Sequence, residues 1–546
     1  MSQNLSRWIQ SHPRWTLALV TVAALLPFLG KPFNMDDPLF IWAARQIHAH
    51  PADPYGFDIN WDWRQAPMWK VTENPPLTCY YIALASTLLG WSEVALHLAF
   101  LLPVLAVILG TFRLARQLCN SPVLAALATL CTPVFLVSST TLMSDIPMLA
   151  FWVWSVVFWI EGTEENKIHK LLAAGCLVGL AEITKYYGLC LIPLLIAYSI
   201  SSKRRIAQWA QFLLIPLTVL WAYQSAMYKL YGFYPLLRAT DFGFHKQGSV
   251  FTFGSSCLTG LAFTGGCLGV VLFLLPWLWK KWPALLVIIL FIVSGVIFFG
   301  PTLMKTYPAI PANAYLAIEI QLALGAAVGV VVLALAISEI KSRNPKSLLL
   351  MLWILGTFIF AAFMNWTINA RSILPMAPAL GILVARRLEK NFAATTFPMG
   401  KIATGMALSA VLALGVTEAD CLTARAARQN ARSIHADFGL DMGQLRFQGH
   451  WGFQYYMMQG GAAPLDLVHD QLKPGDLVAI PANNTDIFPP APSKAVLVHV
   501  YSEPGPPLLA TINDMTGAGF YASALGPIPF AFGGSSSETV GIYSMQ

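Results

Sequence analysis

The sequence predicts an all-α polytopic membrane protein with a small α/β domain at its C-terminal end. Three observations lead there. Of the 546 residues, 56% are hydrophobic and only 11% charged, whereas soluble chains carry about 25% charged residues. Apolar runs of spanning or near-spanning length recur up to residue 418. Beyond it, short strand-like runs alternate with Gly and Pro turns. A chain this apolar cannot cover itself with polar side chains, so much of its solvent must be lipid.

The elements follow in order. Arg7 and Arg14 precede an apolar run from Trp15 to Gly30. No small-residue cleavage site follows it, so it reads as an uncleaved first span. About thirteen spans are expected, near 15–31, 94–114, 121–140, 146–160, 170–184, 187–201, 206–228, 257–279, 283–303, 313–338, 347–366, 370–388 and 398–418. The runs 170–184 and 187–201 are short for a bilayer, as thinned, tilted or broken helices are. With the N-terminus inside, the clusters Arg113/Arg116, Lys167/Lys170, Lys203-Arg204-Arg205, Lys280-Lys281, Lys341/Arg343/Lys346 and Arg386-Arg387/Lys390 all fall on the cytoplasmic side, as the positive-inside rule requires. Residues 76–90 decide this parity. If that short apolar segment crossed, every later cluster would lie outside, so it is placed as an interfacial or re-entrant helix on the outer face. Residues 1–418 then form the transmembrane domain, with 32–93 as a first outer loop rich in Trp, Pro and Asp. Residues 419–546, with strand-like runs Asp476–Ile480, Ala495–Val500 and Thr539–Tyr543, form an extracytoplasmic α/β domain.

Some function classes drop out early. The net charge of +7 does not point to nucleic acid, because the basic residues sit in short clusters between apolar runs. Eight scattered Cys without a CxxC pair make neither a disulfide framework nor a zinc site. His48 and His50 form an HxH without further ligands at convincing spacing, and read as surface histidines. Asn483-Asn484-Thr485 matches a glycosylation sequon and reads as a turn.

The topology puts Asp36, Asp37, Glu73, Asp145, Glu182, Lys185, Lys305 and Arg371 at the outer ends of spans. Charges near hydrocarbon are costly unless paired or functional, so their convergence suggests one polar cavity opening outward. Each has an ordinary alternative. Asp36-Asp37 could supply a general base or cap the helix that Pro38 opens. Asp145 could cap its span. Lys185 could face an anionic head group, snorkel, or pair with Glu182. Arg371 could anchor at the interface or clamp phosphate oxygens. Tyr55, Trp61, Trp63 and Trp69 in the first loop could stack on sugars or anchor at the interface.

Taken together, these positions resemble the GT-C superfamily of membrane glycosyltransferases. They are similar to its bacterial branch related to protein O-mannosyltransferases and lipid A aminoarabinose transferases. The resemblance spans roughly residues 15–390 and rests on several short motifs in order. MDDPLF matches the acidic pair after the first span, with Asp36 in the catalytic-base position and Asp37 in place of Glu. ENPPL, from Glu73 to Leu77, matches the Pro-Pro-Leu motif. Asn74 stands there where Lys or His is usual, and Lys70 could substitute. Asp145 matches a second outer Asp, and Thr184-Lys185 the Thr-Lys of paired short spans. RSILPMAP matches the late Arg motif, with Ser372 for the usual aromatic.

The resemblance implies a GT-C fold of about 13 transmembrane helices and transfer of a sugar from a polyprenyl-phosphate donor, with inversion. It implies Asp36 and Asp37 as catalytic, and Glu73, Asn74, Asp145, Lys185, Tyr186, Lys305 and Arg371 as substrate-binding. No metal site is assigned; a divalent cation, if one is used, would sit with Asp145 and Asp37. The implied acceptor is an envelope lipid, polysaccharide or protein. The implied location is the inner (plasma) membrane, with the C-terminal domain periplasmic or extracellular. A lipid or sugar transporter or flippase is the rival reading, since broken spans and buried charges occur there too. However, residues 15–201 and 206–418 show no correspondence as two related halves. A scaffold would gain nothing from charges directed at one cavity.

Overall fold

The structure, a computed structural model, describes residues 11–72, 74–247, 253–279, 282–393, 397–534 and 537–546. Each expected span lies on helix, but not always as one rod. Six described helices are long and apolar enough to cross a membrane: Glu93–Leu118, Asp145–Glu165, Ile206–Tyr231, Ala312–Ser342, Pro345–Met364 and Met399–Phe438. The expected span 257–279 is a pair of helices, Phe253–Cys267 and Val270–Leu278, bent by 86°. The run 121–140 divides into Pro122–Leu130 and Pro133–Ser138, and 370–388 into Ala370–Ile373 and Met376–Phe392. Pro133 and Pro375 stand at those breaks, and a proline lacks the N–H that would continue the preceding helix. Among the described residues six helices are therefore of spanning length, or seven if the bent pair is one span, against about thirteen expected runs, several of which are shorter or broken. The molecule is a multi-pass membrane protein.

The short paired runs are a broken helix. Ile168–Thr184 stops where Lys185 turns extended (φ −155°, ψ 131°), and a 3-10 turn, Tyr186–Cys190, leads into Leu191–Ser201. The segment 76–90 forms the helix Leu77–Leu89, packed on Asp37–Ala49. Thirteen residues at about 1.5 Å each reach only ~20 Å, short of a hydrocarbon core of about 30 Å. Three of the basic clusters converge on one helix end. Arg113 and Lys170 both pair with Glu161, at 2.8 and 2.7 Å, and Lys346 pairs with Glu164 at 2.9 Å. Charges far apart in sequence thus meet at one place.

No break in the chain marks the expected boundary at residue 418. It falls inside one continuous 40-residue helix, Met399–Phe438, about 60 Å long, which runs from the transmembrane body into the C-terminal domain. There it packs on a five-stranded sheet ordered Ala463–Pro464, Arg446–Phe447, Leu477–Pro481, Ser537–Met545, Ala495–Pro504. The last three are antiparallel, with Val540 opposite Pro481 and Tyr501. Buried residues alternate along Ser537–Met545, as one covered face requires. Ile434, Phe447, Phe453, Met457, Ala479 and Ile542 form this small core. The tail does not stay there. Phe520, Tyr521, Ile528 and Phe530 return into the transmembrane core, where Phe520 O accepts from Ala370 N at 2.8 Å and Ser523 N donates to Ile368 O at 2.7 Å.

Candidate active site

The chain from Phe33 to Asp37 links the first span to helix Asp37–Ala49. Met35 sits at φ +51°, a left-handed conformation rare for a residue with a side chain, and turns the two carboxylates in different directions. Asp37 is fully buried; its oxygens accept Leu142 N at 2.7 Å and Asn34 N at 3.1 Å. Burial holds its carboxyl up, at about 7, against the pull of Lys31 and those two N–H groups. Asp36 instead lines a cavity of about 1610 Å³. Its side chain makes no capping bond to the helix it precedes, so the cap alternative is not realised.

Arg371 brings three charged elements together. Its Nη1 lies 3.0 Å from Asp36 Oδ2 and 3.9 Å from Asp145 Oδ2. Asp145 Oδ1 in turn accepts from Lys185 Nζ at 2.6 Å. The Arg371 guanidinium lies over the Tyr521 ring, 5.6 Å from its centroid. Among the described residues, Nε of Arg371 and Oδ2 of Asp145 are buried without a hydrogen-bond partner. The extended backbone at Lys185 is what frees that side chain from its helix. Of the roles open to Lys185, the pair with Glu182 does not form: Lys185 turns to Asp145, and both Glu182 carboxylate oxygens are buried without a hydrogen bond.

A buried network underlies this row. Asp420, on the long helix, accepts from Lys31 Nζ at 2.5 Å, Tyr521 Oη at 3.0 Å and Thr511 Oγ1 at 3.0 Å. Lys31 also donates to Thr140 at 3.1 Å. A buried ion pair costs desolvation, and extra hydrogen bonds offset it. The helix Trp451–Gln459 docks on the same loop. The Tyr456 hydroxyl accepts from Phe33 N at 2.9 Å, and Gly452 N donates to Asn34 Oδ1 at 3.2 Å. A Cβ on Gly452 would stand 2.3 Å from Phe33 O, so only glycine fits there.

The cavity runs between unlike walls. On one side Leu189, Cys190 and Leu194 face Leu352, Ile359 and Phe360, forming an apolar slot between two spans. The slot's far end is a π-helical turn, Phe360–Met364, with Ile359 and Met364 exposed. Such turns interrupt helices mostly at functional sites. On the opposite side the loop 32–93 and the C-terminal domain supply Trp61, Trp63, Trp451 and Asp486.

Residues 73–226 match the family described as dolichyl-phosphate-mannose-protein mannosyltransferase. The solved structure of ArnT from Cupriavidus metallidurans bound to undecaprenyl phosphate superposes with a TM-score of 0.52 at 14% identity, over 86% of this chain and 92% of that one. The chain has the GT-C fold. The apo form of that ArnT gives a TM-score of 0.44 at 16% identity, covering 85% and 92%. The arabinofuranosyltransferase AftD from Mycobacteria gives 0.38 at 13%, covering 97% of this chain and 40% of that one. Comparison with the curated proteins gave no significant match.

Within this GT-C fold, the sequence-derived residues divide. Asp36, Asn74, Lys185, Tyr186 and Arg371 line the cavity, and Asp145 lies directly behind them through its two cations. The Asn74 carbonyl accepts from Tyr55 Oη at 2.7 Å, and Tyr186 Oη accepts from Gln224 at 3.1 Å. Two of the assigned residues lie away from the cavity. Asp37 points away from the cavity into the buried loop, because its two N–H donors lie there. Lys305 is exposed after helix Trp282–Met304 and outside the cavity lining. Glu73 lies outside the described residues. Sequence reasoning missed Lys31, Asp420 and Tyr521. The first two carried a signal, as charges adjoining apolar spans. Tyr521 carried none, since its neighbours come from distant segments. Among the described residues no group of three or more His, Cys, Asp or Glu is arranged to hold a metal ion.

Proposed function

We propose that this chain transfers a sugar from a polyprenyl-phosphate donor to an envelope acceptor at the outer face of the inner (plasma) membrane, with inversion at the anomeric carbon. One observation carries the reading: the cavity joins an apolar slot between spans to two cations, Lys185 and Arg371, beside the carboxylate of Asp36. A polyprenyl tail fits the slot, and its phosphate fits the cations. The neighbouring ArnT structure, bound to undecaprenyl phosphate, supports such a donor. The N-terminus is then cytoplasmic and the C-terminal domain extracytoplasmic.

The chemistry follows from charge. In the resting site Arg371 is balanced by Asp36 and Asp145. An arriving phosphate offers Arg371 a bidentate partner and takes up its free Nε–H. Arg371 shifts toward it and releases Asp36, which then accepts the proton of an acceptor hydroxyl. The acceptor oxygen bonds to the anomeric carbon from the face opposite the phosphate. The carbon–oxygen bond to phosphate breaks, and polyprenyl phosphate leaves with the electron pair. Its growing negative charge is stabilised by Lys185 and Arg371, more strongly at Arg371, whose side chain is only 15% exposed. Asp145 keeps both cations in place.

The test uses full-length protein in nanodiscs with a radiolabelled polyprenyl-phosphate sugar. Sugar transfer, or slow hydrolysis without acceptor, is expected from the wild type and lost in Asp36→Asn. Wild-type turnover in Asp36→Asn would sink the assignment. Sugar-lipid translocation without bond cleavage in proteoliposomes would favour a transporter instead.

A further inference from the structure

The tail of the chain builds one wall of the cavity. Ile512–Asn513 and Ala518–Gly519 pair as a short antiparallel hairpin, and the residues that follow it, Tyr521, Ala522, Ala524 and Leu525, line the cavity beside Arg371. Nothing in the donor chemistry uses them.

This segment grips Arg371 at both ends. At the backbone, Phe520 O accepts from Ala370 N at 2.8 Å, Ser523 N donates to Ile368 O at 2.7 Å, and Ser523 Oγ accepts from Ile368 N at 3.2 Å. Ser523 O in turn accepts from the Tyr307 hydroxyl at 2.6 Å. The first N–H groups of a helix have no partner within it, so the tail satisfies Ala370 at the start of the short helix Ala370–Ile373. At the other end, the Tyr521 ring lies under the guanidinium, 5.6 Å from its centroid. Asp36 and Asp145 draw on the same guanidinium, at 3.0 and 3.9 Å.

The ring is itself held in place. Tyr521 Oη donates to Asp420 Oδ2 at 3.0 Å, the oxygen that also accepts from Lys31 Nζ at 2.5 Å, while Asp420 Oδ1 accepts from Thr511 Oγ1 at 3.0 Å. All of these side chains are buried. Lys31 stands at the root of the loop that carries Asp36. One carboxylate thus ties the base's loop to the platform under the phosphate clamp. Stability alone does not call for this, since well-packed apolar side chains of similar volume often replace a buried ion pair without loss. Apolar packing has no preferred direction, whereas hydrogen bonds do, and they fix where the ring lies. Placement matters to chemistry: a shift of about 1 Å at a reacting group can cost about 10²-fold in rate.

We propose that Tyr521, anchored by Asp420 and Lys31, is a positioning residue that holds the Arg371 guanidinium in register with Asp36, so that the tail of the chain completes the donor site. The proposal rests on the transferase reading and adds to it the part that sets the phosphate clamp. The test is a double-mutant cycle on the full-length protein in nanodiscs. It is read by polyprenyl-phosphate affinity in native mass spectrometry and by transfer from a radiolabelled polyprenyl-phosphate sugar. Tyr521→Leu removes the ring and should weaken polyprenyl-phosphate binding about tenfold. Tyr521→Phe keeps the ring, loses its anchor and should weaken binding less; it carries the cycle if Tyr521→Leu does not fold. In an Arg371→Gln background, Tyr521→Leu should change the affinity by less than about twofold, because its effect passes through the guanidinium. Lys31→Met combined with Asp420→Asn should melt close to the wild type yet bind as weakly as Tyr521→Phe. Wild-type affinity in Tyr521→Leu, or an equal loss in both backgrounds, would overturn the proposal. Wild-type affinity in the Lys31→Met, Asp420→Asn variant would overturn the part given to the ion pair. A wild type that binds polyprenyl phosphate and shows the coupling but transfers no sugar counts against the transferase reading alone.

Discussion

Asp36 and Asp37 are adjacent in sequence but should fail in different ways when each is changed to Asn. Asp36 lines the cavity beside Arg371. Losing a general base lowers turnover by about 10²–10⁴, or roughly 3–5 kcal/mol of barrier at about 1.36 kcal/mol per tenfold. Asn fits the same space, so folding should be little affected. Asp37 is buried against Leu142 N and Asn34 N. An amide can accept only one of these, and its NH2 group faces the other. One orphaned buried donor costs about 1–3 kcal/mol, seen as a lower unfolding temperature. Both variants should be assayed for sugar transfer and for thermal unfolding in the same nanodiscs. The expected result is an inactive, stable Asp36→Asn and a less stable Asp37→Asn whose folded fraction still turns over. An inactive Asp37→Asn with wild-type stability, alongside an active Asp36→Asn, would refute the division of roles.

Other predictions concern the surroundings. Arg371→Lys keeps the charge but loses the fork, and one lost charge-assisted bond of about 1.5–3 kcal/mol should raise the donor KM at least about tenfold. Lys31→Met leaves Asp420 buried and unpaired, which costs about 3–5 kcal/mol; Lys31→Met with Asp420→Asn should recover most of the lost melting temperature. Burial pushes the Glu538 carboxyl from 4.5 up to about 7, against the Asn483 amide that donates to it. A raised carboxyl contributes stability below its unfolded pKa and loses it as pH rises through the folded one. The domain should therefore lose up to about 3 kcal/mol between pH 4.5 and 8, and Glu538→Gln should flatten that slope in a thermal-shift series. Gly452→Ala should push helix Trp451–Gln459 off the Phe33 carbonyl, lowering activity through the Asp36 loop.

The sequence by itself determined the membrane class, the order of the helical segments and the charges that adjoin them. Those depend on local hydropathy and on loop charge, which one chain displays openly. It also marked Asp36, Asp145, Lys185 and Arg371 as costly charges at span ends, and the fold brings all four together. Breaks were partly legible: Pro133 and Pro375 announce theirs, while the 86° bend near Gly269 has no proline to announce it. Only the tertiary structure separated the two acidic neighbours, because the left-handed turn at Met35 decides which carboxylate meets the cavity and which meets backbone N–H groups. Only it removed Lys305 from the site and added Tyr521, held under Arg371 by Asp420 through side chains far apart in the chain. The acidic pair first read as one motif is two groups with different work: Asp36 at the cavity, Asp37 in the frame that holds it there.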